Sequence, residues 1–250
     1  MFLILTPTAF EQQALRDVLG AAESRTFAHR NQVQGLLADR TVVLLETGIG
    51  AVNTAQALTA VLQASRPVLV LQIGVGGAYL SSGLGAGDLA IATEENYGDL
   101  GVLTPDGWQP ADVIGIPVLQ KDRDYFNRFP LCPALVARAK ALVCNMPWDV
   151  PAPRVRSGPF VTVQQCSGRA SAGNQLAARF NGICENMEGA AAAHLCMLYG
   201  VPFLELRGIS NRVEDRRRET WDLDLAANRA QQAAGSLVEN LNLKNPGTSG

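Results

Sequence analysis

Several places in the chain hold residue types that can handle a sugar, a base or a proton. Glu11 follows the apolar run 2–5, where a carboxylate can take a proton from water. The helix dipole also favours an acid in a first turn with no chemistry attached. Gly48-Ile49-Gly50 and Gly74-Val75-Gly76-Gly77 offer bare backbone that can approach a sugar or an anion closely. The same glycines suit tight turns and close helix–strand packing. Met187-Glu188 can set a thioether against the apolar face of a ribose and two acceptor oxygens against its vicinal hydroxyls. Glu188 is equally suited to starting the small-residue helix that follows. Ser210-Asn211 close a strand-like run with groups that can face a base, and both types are common in turns.

The elements that must position these residues follow from periodicity. Strand-like runs at 2–5, 42–46 and 68–73 alternate with helical patterns at 10–19 and 51–63, and residues 78–83 read as loop. Later come strands at 160–163, 183–187 and 202–209, with helices at 170–180, 189–199 and 223–243. This rhythm predicts an α/β fold, a largely parallel mixed sheet covered by helices, with ligands at the carboxyl ends of the strands. Residues 98–153 are rich in Pro, Gly and isolated aromatics, with one helix at 133–143, and read as an insertion over the sheet. A single catalytic domain over 1–243 and a loose tail over 244–250 are expected.

Composition narrows the ligand. A net charge of −2 spread over mixed acids and bases argues against nucleic acid and membrane partners and for a small molecule. The opening apolar run is too short for a membrane span and reads as a buried first strand. Five widely spaced cysteines without a Cys-x-x-Cys pair suggest reduced thiols and a cytoplasmic setting. With only His29 and His194 available, no metal is expected, and no cofactor. A dinucleotide is disfavoured because Asn53 stands where the third glycine of its fingerprint belongs.

Taken together, these residues resemble the nucleoside phosphorylase and hydrolase superfamily. Within it they are similar to the methylthioadenosine/S-adenosylhomocysteine nucleosidases and, more closely, to the futalosine hydrolases of menaquinone biosynthesis. The resemblance runs over 2–241 and is clearest at 47–88 and 160–211. It implies a three-layer α/β/α, nucleoside phosphorylase-like fold and a homodimer or higher homo-oligomer, with the insertion completing a neighbour's pocket. It makes Glu11 the acid that activates water, Met187 and Glu188 the sugar-binding pair, and Ser210 and Asn211 the pair that addresses the base. Ile49, Val75 and Gly76 would line the pocket, and Phe160 and Val161 fall at the aromatic position that stacks on a purine.

Two departures from the family pattern bear on chemistry. Asn211 replaces an aspartate that could hand a proton to N7 of the leaving base; an amide cannot, but it can donate to a 6-oxo group and accept from N7–H. Val75 replaces a serine and removes a possible donor to phosphate, while Glu11 would set negative charge beside any such anion. Hydrolysis of a 6-oxopurine riboside by water is therefore expected. A purine nucleoside phosphorylase and a non-catalytic nucleoside-binding protein are the competing readings.

Overall fold

The structure, a computed structural model, describes residues 1–243, so the expected tail over 244–250 lies outside the described residues. The strands are β1 (Phe2–Thr6), β2 (Gly20–Phe27), β3 (Arg30–Leu37), β4 (Arg40–Glu46), β5 (Leu69–Ala78), β6 (Leu89–Tyr97) and β7 (Gly101–Thr104). They continue with β8 (Gly107–Pro110), β9 (Leu119–Gln120), β10 (Asp124–Tyr125), β11 (Arg128–Pro130), β12 (Val155–Thr162), β13 (Cys184–Asn186) and β14 (Phe203–Arg212). The helices are α1 (Gln13–Val18), α2 (Ala51–Ala64), α3 (Pro133–Cys144), α4 (Ala170–Phe180), α5 (Gly189–Tyr199) and α6 (Leu223–Asn240).

Ten of the strands, all but β7–β10, form one mixed sheet. β1 runs parallel to β4 and β5, β5 to β14, and β12 to β6 and β13. These strands read as near-continuous apolar runs because helices cover both faces of the sheet: Leu3, Ile4, Leu44, Leu45, Leu69 and Leu71 are all fully buried. On one face α2 packs against α5, and on the other α6 packs on β14 and β5 with α1 and α3 beside it, giving the three-layer nucleoside phosphorylase-like fold.

Two antiparallel pairings, β13 with β5 and β14 with β6, change what the sheet can do. With the parallel pairs they complete a closed circuit, β5–β14–β6–β12–β13–β5. Its strands exchange hydrogen bonds with one another on both edges.

The structure differs from expectation in three places. The glycine stretch at 74–77 does not end a strand; β5 runs on through it to Ala78, because β14 pairs with it along its whole length. The helix expected over 10–19 is a 3-10 turn at Ala9–Gln12 followed by the six-residue α1. β6 lies in the circuit and the hairpin β2–β3 extends the sheet at its far edge, although neither was expected. β2 carries almost no buried side chain and thus no alternation to read, and β6 reads as an unpunctuated stretch before the insertion.

α6 owes its close seat to small residues. Asp222 caps it by accepting from the Leu225 N–H (2.9 Å), and Ala226, Ala227, Ala230, Ala233 and Ala234 form its buried face. A side chain at Gly208 of β14 would run into the Ala226 carbonyl. The Asp222 N–H donates to the Ser210 carbonyl (2.9 Å), which holds the loop before α6 over the end of β14.

Candidate active site

β5 is the axis of a cavity of about 380 Å³, a volume typical of small-molecule sites. Its glycines leave a floor without side chains, and polar groups gather over two of them. A Cβ at Gly74 would stand 2.7 Å from Glu11 Oε1 and 2.9 Å from Arg207 Nη1, so glycine is what admits both. Glu185 of β13 and Asn211 of β14 are the residues paired with Gly77 on its two edges.

Glu11 sits on the 3-10 turn that follows β1 and is 3 % exposed. The Val75 N–H donates to its Oε1 (2.8 Å) and the Thr8 hydroxyl to its Oε2 (2.6 Å). Burial pushes its pKa above the usual carboxylate range, with Thr8, Val75 and Arg207 opposing the shift and Glu188 adding to it. The result is a fixed carboxyl whose affinity for a proton is higher than that of a free glutamate, as general-base work near neutrality requires.

Glu188 lies in the turn between β13 and α5. Asn186 shapes that turn: its Oδ1 accepts from the N–H groups of Glu188 (2.9 Å) and Gly189 (2.7 Å). Glu188 Oε1 accepts from the Gly50 N–H (2.9 Å) at the start of α2, where the helix dipole favours negative charge. Gly50 has φ +92°, a conformation open to glycine. Glu188 Oε2 pairs with Arg207 Nη1 at 3.1 Å. A carboxylate has about four acceptor sites, so these two bonds leave capacity for two sugar hydroxyls.

Arg207 is almost fully buried and bonds through Nε to Glu205 Oε1 (2.9 Å). Burial works against its charge, but Glu205, Glu188 and Glu11 overcome that and raise its pKa. It stays a cation wedged between the two carboxylates of the cavity. Further along β14 a register slip between Ile209 and Asn211 leaves Ser210 bulged, and bulges commonly re-aim side chains. The Ser210 hydroxyl donates to Asn211 Oδ1 (2.8 Å) and Asn211 Nδ2 donates to the Arg212 carbonyl (2.9 Å).

Of the residues singled out from sequence, Glu11, Ile49, Val75, Gly76, Met187, Glu188, Ser210 and Asn211 line this one cavity. Phe160 and Val161 do not, which corrects their placement. Strand alternation sends Phe160 into the main core and Val161 into a second cluster with Tyr79, Phe180 and Val213, both at 0 % exposure. The aromatics that reach the cavity are Phe10 and Trp221. Trp221 stands just before α6 with the Arg216 guanidinium 5.2 Å from its ring centroid.

Sequence reasoning also missed Arg207, Glu185, Cys166 and Ser167 as lining residues; Arg216, which from sequence suits either a charge for the substrate's far end or a solvated loop, lines the cavity too. A signal existed for Arg207: with Glu205 it places two opposite charges on one face of an otherwise apolar strand, a pattern buried strands rarely tolerate unpaired. Glu185 accepts from the Ser167 N–H (2.8 Å) and hydroxyl (2.6 Å) and so ties the 166–167 loop to the cavity wall. Cys166 Sγ lies 3.3 Å from Met187 Sδ.

A family model described as the phosphorylase superfamily matches residues 2–241, and the chain belongs to that superfamily. The chain is 32 % identical over 240 residues to the futalosine hydrolase of Thermus thermophilus, covering 95 % of each chain. It is 29 % identical over 213 residues to the 5'-methylthioadenosine/S-adenosylhomocysteine nucleosidase of Halalkalibacterium halodurans, covering 85 % of each. Among solved structures, the nucleosidase of that name from Neisseria meningitidis, in complex with methylthio-immucillin-A, superposes with a TM-score of 0.82 at 23 % identity, over 96 % of this chain and 99 % of that one. A futalosine hydrolase mutant of Helicobacter pylori gives a TM-score of 0.80 at 21 % identity, over 96 % and 99 %.

Proposed function

We propose that this chain is a hydrolase of N-glycosyl compounds that cleaves the purine–ribose bond of futalosine, releasing hypoxanthine and the remaining ribosyl acid in menaquinone biosynthesis. The observation that carries the reading is the meeting of Glu11, Glu188 and Asn211 in one cavity, with both acids anchored by backbone N–H groups.

In this reading the ribose lies between the two carboxylates. Bond cleavage proceeds through an oxocarbenium-like ribosyl cation, which the negative charge of Glu11 and Glu188 stabilises. Glu188 accepts from the ribose hydroxyls, with Met187 against the sugar. Water then attacks C1′ while ionised Glu11 takes its proton. Asn211 donates to the 6-oxo group and accepts from N7–H; the proton on N7 comes from solvent, so hypoxanthine leaves neutral, and the proton that Glu11 takes from water returns to solvent. The wall for the base is assigned to Trp221, since Phe160 and Val161 are buried elsewhere. Water fits this site better than phosphate: the charge of Arg207 is already balanced by Glu188 and Glu205, and Glu11 would repel an anion.

The whole reading rests on one catalytic unit over 1–243, working as a homodimer or higher homo-oligomer in the cytoplasm. Two cavity-lining apolar side chains, Phe10 and Ile49, are 42 % and 56 % exposed, as expected of a rim that a neighbouring copy covers.

The test offers purified protein futalosine, aminodeoxyfutalosine, inosine and methylthioadenosine, each with and without phosphate, and follows the free base. Hypoxanthine from futalosine at a rate indifferent to phosphate is expected. Phosphate-dependent turnover of inosine would make the chain a phosphorylase instead, and binding without turnover of any of the four would make it a nucleoside-binding protein.

A further inference from the structure

Behind the cavity wall lie two more acids that the proposed reaction does not use. Glu95 of β6 and Glu205 of β14 are both at 0 % exposure, and neither lines the cavity. Oxygens of both carboxyls converge on the point where a Gly189 side chain would stand, so the two groups face each other over the first residue of α5. Glu95 is held there by the Thr162 hydroxyl (2.8 Å to Oε2) and Asn186 Nδ2 (2.7 Å to Oε1). Glu205 Oε1 accepts from Arg207 Nε (2.9 Å), while its Oε2 is buried with no donor. A proton on Glu95 would supply that donor.

We infer that Glu205, paired with a neutral Glu95, is the positioning residue of this site: it fixes Arg207 and draws off part of that arginine's charge, leaving Glu11 and Glu188 net negative towards the sugar.

Glu11, Glu188, Glu205 and Glu95 surround a single buried cation, Arg207. Were Glu205 absent or neutral, Arg207 would give its whole charge to the two cavity carboxylates, and their pull on a ribosyl cation would weaken. Were Glu95 also ionised, two carboxylates would face each other away from water, which is strongly unfavourable. Burial first, and then the charge of Glu205, push the Glu95 pKa well up, in agreement with a proton held between them. Asn186 serves both places: its amide nitrogen donates to Glu95 while its oxygen holds the Glu188 turn. The other titratable groups near the pair are Cys184, Tyr79 and Tyr97, whose pKa values burial pushes up and which therefore stay neutral.

The inference rests on Glu11 being the base of the proposed reaction, and its test has arms that do not need turnover. Glu205→Gln keeps the shape and an acceptor for Arg207 but removes the charge. It is expected to lower kcat by about 10-fold with KM changed less than about 2-fold, and to move the acid limb of the pH–rate profile to lower pH, because Arg207 then acts more fully on Glu11. A purely structural role would lower kcat without moving that limb. Glu95→Gln keeps a neutral donor to Glu205 and is expected to keep the wild-type profile. Should Glu205→Gln fail to fold, infrared difference spectra of the wild type at neutral pH carry the test, through a protonated-carboxyl band that Glu95→Gln abolishes. An unshifted acid limb in a folded Glu205→Gln, or no such band, overturns the inference. If the wild type releases no base from any nucleoside, the reaction fails while the band still reports on the pair.

Discussion

Glu11 holds its proton more tightly than a free carboxyl for a physical reason, its burial against β5, and that shapes how activity depends on pH. The base must be ionised, so turnover falls as the solution is acidified through a value above the ordinary 4.5. A limb at or below 4.5 in kcat/KM would remove Glu11 from the role. Glu11→Gln is expected to lower kcat by about 100- to 10,000-fold, with an unchanged thermal midpoint showing that the loss is chemical. Glu11, Glu188 and Asn211 were legible from sequence as a set and not singly, because each type also suits a helix start or a turn, and only several such strand ends together resemble a nucleoside site. Arg207 was passed over although Glu205, two residues earlier on the same strand, hinted at a buried pair, because its other partner, Glu188, comes from a distant point of the chain. Phe160 misled because an aromatic at a strand end can face either way, and its pairing with Cys184, invisible in sequence, decides which.

Two glycines separate what an element does for the site from what it does for stability. At Gly74 an added methyl group meets Glu11 and Arg207; at Gly208 it meets the backbone of α6. Gly74→Ala should therefore abolish most turnover by displacing the Glu11 and Arg207 side-chain ends, and the φ of +156° at this position should add a cost in stability through backbone strain. Gly208→Ala should cost about 1–3 kcal/mol of stability, as overpacking does, since helix backbone cannot step aside. Urea denaturation and initial-rate measurements on the two variants should move in opposite proportion, and equal effects on both would show that the sheet and the site respond as one. The alternation of strands and helices was readable wherever apolar runs were long, as at β1, β4 and α2. It was not at β2, whose side chains face water, nor at the glycines of β5, whose strand conformation is imposed by β14 and not by propensity.

At the scale of the whole molecule, the homo-oligomer proposed above would cover apolar residues that are exposed in the single chain, Phe10 and Ile49 among them. Val52, on the first turn of α2, is 80 % exposed, close in sequence to Ile49. Val52→Asp is expected to lower the mass seen by light scattering and to weaken substrate binding; an unaltered mass would place the interface elsewhere. The closed circuit of strands has a further consequence. Amide protons along β5 and β14, shielded by neighbours on both edges, should exchange with solvent only when the entire chain opens, whereas those of the outlying β2–β3 hairpin should exchange by local fraying. Arg207 and Asn211 ride on β14, and the Gly74–Gly77 floor of the cavity on β5, so mild denaturant ought to strip away the hairpin while the rate of base release is still intact.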